Sequence, residues 1–121
     1  MRDMSQVLDL WGAWAASDNS GVNWQPIAAG FKDLIPYGKK SRSQCCDDDG
    51  IVIDNCVARL RICKPEEYEL LMAHYVIGVS LRGIAKKRKC SDGTIRKELQ
   101  AAEGFIDGCL AMLGATLQME I

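Results

Sequence analysis

The chain has 121 residues, a length that suits one small domain or one domain with an extension. Apolar residues make up 48% of the chain, which is enough for a folded core and argues against wholesale disorder. The net charge of −1 is unevenly distributed, because residues 80–100 carry a net +5 and the rest of the chain a net −6. A basic block confined to one segment of an otherwise acidic chain favours a directed contact with nucleic acid over non-specific binding.

The N-terminus, MRDMSQVLDLW, mixes acids among its apolar residues, so we expect no signal peptide. No apolar run reaches the length of a membrane span. Without a secretory signal, the cysteines are expected to be free thiols of a reducing cytoplasm. The sequence stops abruptly at Ile121, which leaves open that a short polar tail is missing.

Helical periodicity dominates the N-terminal half. It predicts a helix over 5–16 with one apolar face made of Val7, Trp11, Trp14 and Ala15. SDNSG at 17–21 ends this helix. A second helix is expected with Asn23 as its cap, Pro26 in its first turn and an apolar stripe of Trp24, Ile27, Phe31 and Leu34. Residues 36–46 then form a loop with a small basic cluster, Lys39, Lys40 and Arg42.

Two further helices are predicted in the middle of the chain. The first starts with three acids at 47–49, where a helix N-terminus favours negative charge, and has a face of Val52, Cys56, Leu60 and Cys63. The second starts at Pro65 and ends at Gly78, with a buried side of Leu71, Met72, Tyr75 and Val76. Period-2 alternation is absent, so we predict an all-α fold of about six helices.

The basic block has the pattern of a helix-turn-helix. Ser80 is a good N-cap for a helix over Leu81–Arg88, and Ser91 is a second cap, with Thr94 as a weaker candidate. Inward positions are apolar or small and comprise Leu81, Ile84, Ala85, Ile95, Leu99, Ala102 and Ile106. Two capped helices joined by a tight turn predict this DNA-binding motif.

Outward positions of the motif carry side chains that suit DNA. Arg or Lys pairs with guanine and Gln with adenine in the major groove. The expected base-reading residues are Arg96, Lys97, Gln100, Thr94 and Asp92. The expected phosphate-binding residues are Arg82, Lys86, Lys87, Arg88, Lys89 and Ser91. The competing interpretation is a solvated basic face on an ordinary helical hairpin.

The segment 66–106 resembles the four-helix unit of sigma-factor region 4 and related regulators, with its Ser-Leu-x-x-Ile-Ala and Ser-x-Gly-Thr-Ile-Arg strings. Two positions depart from that pattern. Arg88 stands where an apolar residue is usual, and Lys89 where glycine is usual. Lys89 is therefore expected in a left-handed conformation.

The strings WGAWAA (11–16), IAAGFKDLIP (27–36), KSRSQCCDDD (40–49) and CSDGTI (90–95) together resemble the antitermination protein Q family of lambdoid phages, in the branch related to phage 21. This resemblance implies a late-gene regulator in the cytoplasm of a bacterial host. Such a protein binds DNA near the late promoter, loads onto host RNA polymerase at a sigma-dependent pause and makes it read through terminators, acting at the RNA exit channel. Partners implied are double-stranded DNA, host RNA polymerase and sigma factor, nascent RNA and a second copy of itself.

The order of these segments in the sequence also suggests a division of labour. Residues 1–63 form a helical body whose loop, with Lys39, Lys40 and Arg42, works on polymerase or RNA, while residues 64–121 hold the DNA reader and a long C-terminal helix. That helix continues an apolar series, Ile106, Cys109, Leu113 and Leu117, and is expected to pack on the body or on a second copy. The residues alone predict DNA binding, whereas antitermination rests on the resemblance.

Other sites are less well supported. A zinc site of Cys45, Cys46, Cys56 and Cys63, with His74 nearby, lacks any C-x2-C pair. The three acids at 47–49 could hold magnesium but more often begin a helix beside solvent. Trp11, Trp14 and Trp24 could stack on RNA, although their spacing is that of a core. Neither a cofactor nor catalysis is expected.

Two other functions remain open: a conventional helix-turn-helix repressor or activator, and a protein that grips polymerase or sigma factor without reading DNA.

Overall fold

The computed structural model describes residues 2–17, 20–35 and 42–120, and these residues form helices with no strand. The α-helices are α1 (Met4–Ala16), α2 (Gln25–Gly30), α3 (Asp47–Cys63), α4 (Pro65–Leu71), α5 (Leu81–Arg88) and α6 (Asp92–Leu113). A π-helical segment, Met72–Ile77, continues α4, and short 3-10 turns span Lys32–Leu34 and Gln118–Glu120. The predicted all-α fold is confirmed. Among the described helices, none is both long enough and apolar enough to cross a membrane.

One apolar core connects the two halves of the chain. Its fully buried side chains come from all the longer helices and include Leu8, Trp11, Ile53, Leu60, Leu70, Leu71, Met72, Ile84, Ile95, Ile106 and Leu110. The predicted inner face of α1 is confirmed, since Val7, Trp11, Trp14 and Ala15 are all buried. The predicted buried side of the fourth helix is also confirmed.

Two glycines allow the elements of this core to approach closely. A Cβ atom on Gly12 of α1 would overlap the backbone carbonyl of Tyr75 in the π-helical segment. A Cβ atom on Gly50 of α3 would overlap the indole ring of Trp14. Because glycine has no Cβ atom, α1 can cross the π-helical segment at Gly12, and the indole of Trp14 can pack on the first turn of α3 at Gly50.

The acids at 47–49 begin α3 as predicted, but they do not all face solvent. Asp49 is only 3% exposed. Its carboxylate accepts hydrogen bonds from the backbone N–H groups of Gln118 (2.8 Å) and Met119 (3.0 Å). Asp47 accepts from the indole Nε1–H of Trp14 at 2.9 Å. The acidic start of α3 therefore joins α1 to the C-terminal residues, a tertiary role that the local charge pattern does not reveal.

The C-terminal segment packs on the N-terminal body, one of the two arrangements predicted for it. The guanidinium of Arg2 forms ion pairs with Glu120 (2.9 Å) and Asp107 (3.4 Å) and donates to the carbonyl of Ala115. Leu117 is buried.

Three expectations about local positions were wrong. Leu113 is 65% exposed, because α6 ends there and Gly114, at φ 62°, turns the chain away. Trp24 rather than Asn23 occupies the N-cap position of α2, which has no side-chain cap. Cys63 is exposed, because it lies in the last turn of α3, beyond the buried stripe that ends at Leu60.

We expect Gly12→Ala to lower the free energy of unfolding by about 3 kcal/mol or more, because the added methyl collides with backbone that cannot rotate away. Gly104→Ala in α6 is the matched control, since a Cβ there meets nothing within 4 Å. That substitution should stabilise the protein by about 0.5–1 kcal/mol. Urea unfolding followed by circular dichroism measures both, and equal stability of the two variants would contradict the close crossing.

Candidate nucleic-acid interface

The helix-turn-helix forms as the caps predict. The π-helical segment ends at Gly78, at φ 92°, and Ser80 then accepts a hydrogen bond from the N–H of Gly83 at 3.0 Å to begin α5. Ser91 accepts from the N–H of Thr94 at 3.1 Å and begins α6. Thr94 is therefore not a cap but a first-turn residue, whose hydroxyl lies 2.9 Å from that of Ser91. The predicted bounds of α5 are confirmed.

Lys89 closes α5 in the left-handed conformation expected for it, with φ 57° and ψ 46°. It is the one non-glycine residue with positive φ in the part of the chain that the structure describes. The N–H of Lys89 bonds to the carbonyl of Lys86 (3.2 Å), and that of Cys90 to the carbonyl of Ala85 (3.0 Å). This is the Schellman arrangement, so the turn keeps the usual geometry although glycine is missing.

Burial divides α6 into two faces. Ile95, Leu99, Ala102 and Ile106 are buried. The side chains predicted to read bases, Asp92, Thr94, Arg96, Lys97 and Gln100, are all exposed. They lie on the outer face and in the first turns of α6, the part of a recognition helix that contacts base edges in helix-turn-helix proteins.

The cations of α5 and its turn differ in their surroundings. Arg82, Lys86, Lys89 and the hydroxyl-bearing Ser91 are exposed. Arg88 is half-buried, and its guanidinium donates to the carboxylate of Glu98 (3.5 Å) and to the carbonyl of Glu66 (3.2 Å). This cation thus joins α4, α5 and α6.

Lys87 also has an intramolecular partner. Its Nζ lies 4.8 Å from the ring centroid of Phe31, in range of a cation–π interaction. The side chain of Leu34 lies beside Gly83, one turn earlier on the same flank of α5. The segment that includes α2 and the first 3-10 turn therefore braces one flank of α5 and leaves the flank of Arg82 and Lys86 open.

Arg42 has a role that the sequence did not suggest. Its guanidinium donates to the carbonyls of Tyr75 (3.0 Å) and Val76 (3.2 Å), at the end of the π-helical segment. Cations favour the C-terminal ends of helices, where carbonyls lack partners. Lys39 and Lys40, the other members of the predicted basic cluster, lie outside the described residues.

The cysteines do not assemble into a metal site in the described ranges, where no group of three or more potential ligands comes together. Cys45 and Cys56 are buried, whereas Cys46 and Cys63 are exposed. Burial, with the charge of Asp49 nearby, raises the pKa of the Cys45 thiol to about 11. Burial, with the thiol of Cys109 nearby, raises that of Cys56 to about 11 as well. Both buried thiols are therefore protonated near neutral pH.

The tryptophans pack in or against the core. Trp11 and Trp14 are buried, and Trp24 is half-buried against the core cluster. Core packing, the interpretation favoured by their spacing, is confirmed for these residues.

Comparison with known proteins decides the family. The family model described as phage antitermination protein Q matches residues 1–118. The chain belongs to the phage antitermination protein Q family. Its members are transcription antitermination factors rather than enzymes.

Relatives match over nearly the whole chain. Antitermination protein Q of Escherichia phage 933W is 52% identical over 120 residues, which cover 99% of this chain and 83% of that protein. The prophage antitermination protein Q homolog QuuD of Escherichia coli (strain K12) is 50% identical over 121 residues, 100% of this chain and 95% of that protein.

Solved structures with the same fold include transcription antitermination factor Q21, with a TM-score of 0.68 and 23% identity, covering 90% of this chain and 87% of that one. Another is transcription antitermination factor Q21 in complex with Q21-binding-element DNA, with a TM-score of 0.66 and 21% identity, covering 92% of this chain and 91% of that one. Identities this low show a common fold.

We expect Lys89→Gly to stabilise the protein by about 0.5–1 kcal/mol. A left-handed lysine costs roughly 1–2 kcal/mol, part of which the greater freedom of glycine in the unfolded chain offsets. Lys86→Gly removes the same side chain within α5 and should instead destabilise by about 1 kcal/mol. Thermal unfolding compares the two, and loss of stability in the Lys89 variant would show that its side chain outweighs the backbone strain.

Proposed function

We propose that this chain is a phage late-gene antiterminator that binds DNA near the late promoter, loads onto host RNA polymerase held at a sigma-dependent pause and promotes readthrough of terminators. The observation that carries the proposal is the capped helix-turn-helix with Arg96, Lys97 and Gln100 exposed on α6, in a chain of the antitermination protein Q family. The related Q21 factor has been captured with its binding-element DNA, which supports a duplex DNA partner.

Base reading is assigned to the exposed start of α6. Arg96 and Lys97 can donate to the acceptors of guanine, and Gln100 can both donate to adenine through its amide nitrogen and accept through its amide oxygen. Thr94 and Asp92 lie in the first turn of α6, which comes close enough to DNA for contacts to base edges or to the adjacent phosphate backbone.

Phosphate contacts are assigned to the open flank of α5 and to the turn. Arg82 and Lys86 are exposed there, and Lys89 with Ser91 border the start of α6. Lys87 and Arg88 belong to the same proposed surface, but each would have to share its charge with Phe31 or Glu98. We therefore give these two a smaller part in phosphate binding.

Polymerase binding is assigned to the body, residues 1–63, and the DNA reader to residues 64–121. The loop with Lys39 and Lys40 would contact polymerase or the nascent RNA beside the exit channel. Arg42, at the end of this loop, is engaged within the fold by the carbonyls of Tyr75 and Val76 in the 64–121 unit, which leaves Lys39 and Lys40 as the cations for this contact. Sigma factor and a second copy are further partners in this scheme, which operates in the cytoplasm of the bacterial host.

The same geometry also suits a conventional helix-turn-helix repressor or activator. A third function, binding of polymerase or sigma factor without sequence reading, leaves the exposed Arg96, Lys97 and Gln100 unexplained. Transcription past a terminator with purified polymerase, with and without the protein, separates antitermination from both.

We expect Arg96→Ala to cost on the order of 1–3 kcal/mol of binding at the specific site and much less on random duplex. Lys86→Ala is the control from the phosphate surface, and it should weaken binding to both DNAs equally and lower the salt slope by about one. Fluorescence anisotropy over a series of salt concentrations measures both effects. Equal losses on the two DNAs for the Arg96 variant would make it a phosphate contact.

DNA reading and antitermination should be separable. Charge reversal at Lys39 and Lys40, with Arg42 left intact to keep the π-helical segment capped, should reduce readthrough and leave promoter-DNA affinity nearly unchanged. The Arg96→Ala variant should instead fail to load onto polymerase. A high protein concentration should partly restore its readthrough, because DNA binding serves to raise the local concentration of the protein at the paused polymerase. Both variants are measured by DNA shift and terminator readthrough. A loop variant that loses both activities, or neither, would refute this division.

A further inference from the structure

One exposed carboxylate lies among the cations of the helix-turn-helix. Asp92 is the first residue of α6, directly after the N-cap Ser91, and it is exposed. The other acid of the segment 80–100, Glu98, is half-buried and pairs with Arg88 at 3.5 Å. Within the described ranges, no ion pair involves Asp92. Its charge is therefore available on the surface that we assign to DNA.

A negative charge at this place has two opposite effects. The first turn of a helix favours an acid, so Asp92 stabilises α6 itself. The N-terminal residues of a recognition helix also come closest to DNA, where the phosphates repel a carboxylate. Helix stabilisation is the same on every DNA sequence. Repulsion from DNA, by contrast, can be offset at those sequences that offer the carboxylate a hydrogen bond.

The chemistry of a carboxylate restricts which bases can offer that bond. An ionised carboxylate only accepts hydrogen bonds. In the major groove, guanine presents two acceptors, and thymine presents one acceptor and a methyl group. Adenine presents its N6 donor beside the N7 acceptor, whereas cytosine presents only the N4 amino donor. Cytosine is therefore the base that an aspartate accepts best.

We propose that Asp92 is a specificity-determining residue, which selects a cytosine in the DNA site by accepting a hydrogen bond from its N4 amino group. At other bases the carboxylate finds an acceptor or no partner and weakens binding. The cations around it bind DNA of any sequence through the phosphates, so an acid among them restricts the protein to fewer sites. The inference rests on the DNA reading of the proposed function and is independent of antitermination.

The helix also places this cytosine relative to a second base. Asp92 and Arg96 lie four residues apart on α6, both exposed, and hence on one line about 6 Å long. In zinc-finger recognition helices, residues three or four positions apart contact successive bases. The cytosine selected by Asp92 should therefore lie within about two base pairs of the guanine assigned to Arg96.

Selection from a pool of random DNA duplexes by the full wild-type chain provides the probe. The affinity of the chain for the selected duplex is then compared with its affinity for every single base-pair change of that duplex. We expect one cytosine whose replacement weakens wild-type binding about tenfold. The base pair at which Arg96→Ala abolishes discrimination should be a guanine within two positions of it.

Two substitutions of the same residue separate base reading from helix stabilisation. Asp92→Ala should remove the preference at the cytosine position, keep the preferences elsewhere, and bind random duplex several-fold more tightly, because a negative charge leaves the interface. Asp92→Asn should change the preference at that position from cytosine to adenine, since an amide pairs with adenine. Both variants lose the same charge from the first turn of α6, so helix stabilisation cannot explain a difference between them.

Asp9→Asn is the matched control, because it removes the same charge from an exposed position of α1. It should leave the base preferences and the affinity for random duplex unchanged. Circular dichroism shows whether each variant folds.

The possible failures are distinct. Asp92 variants that keep the cytosine preference, or that weaken binding to all duplexes equally, would overturn the inference while the preference at Arg96 stands. Equal tightening by Asp9→Asn and Asp92→Ala on random duplex would reduce the effect to net charge and also overturn it. A wild type that selects no sequence would refute the DNA reading of the proposed function, and this inference with it.

Discussion

The end of the π-helical segment Met72–Ile77 is the point on which the rest of the structure depends. The carbonyl of Tyr75 lies against Gly12 of α1, and it also accepts a hydrogen bond from Arg42. Gly78 follows with a positive φ, so that its N–H and that of Val79 both reach the carbonyl of Ala73. Carbonyls at a helix end need partners, and here the partners are the guanidinium of Arg42 and the backbone N–H groups of Gly78 and Val79. This junction therefore holds the helix-turn-helix in place against α1 and Arg42.

A second tertiary contact connects the remaining elements. The acids that begin α3 bond to Trp14 of α1 and to the backbone near Gln118. Buried carboxylates are stable only when hydrogen bonds replace their water, and Asp49 finds two backbone donors. The last three residues of the string QCCDDD therefore have a structural role, because they connect α3 to α1 and to the residues near Gln118.

The helix-turn-helix departs at two positions from the sequence pattern of sigma-factor region 4 that it resembles, and each departure has a local compensation. Arg88 stands where an apolar residue is usual, and its guanidinium pairs with Glu98 and donates to the carbonyl of Glu66 in the first turn of α4. Lys89 replaces glycine and takes the left-handed conformation, with both Schellman hydrogen bonds kept. The motif therefore retains its geometry while its turn gains two positive charges.

The sequence by itself determined what depends on near neighbours. Period and caps placed α5 to the residue and identified Ile95, Leu99 and Ala102 as inward, because hydrogen bonds and sterics within one turn decide these features. The left-handed conformation of Lys89 was expected from the resemblance to sigma-factor region 4, where glycine is usual at this position. The strings around Trp11, Asp47 and Cys90 pointed to the family. Only the tertiary structure decided the partners of side chains that reach across the fold. Asp49, Arg42, Lys87 and Arg88 all look like solvent-facing charges in the sequence, and each finds its partner at a distant position. Burial of a polar group is set by what packs over it, and no local pattern encodes that.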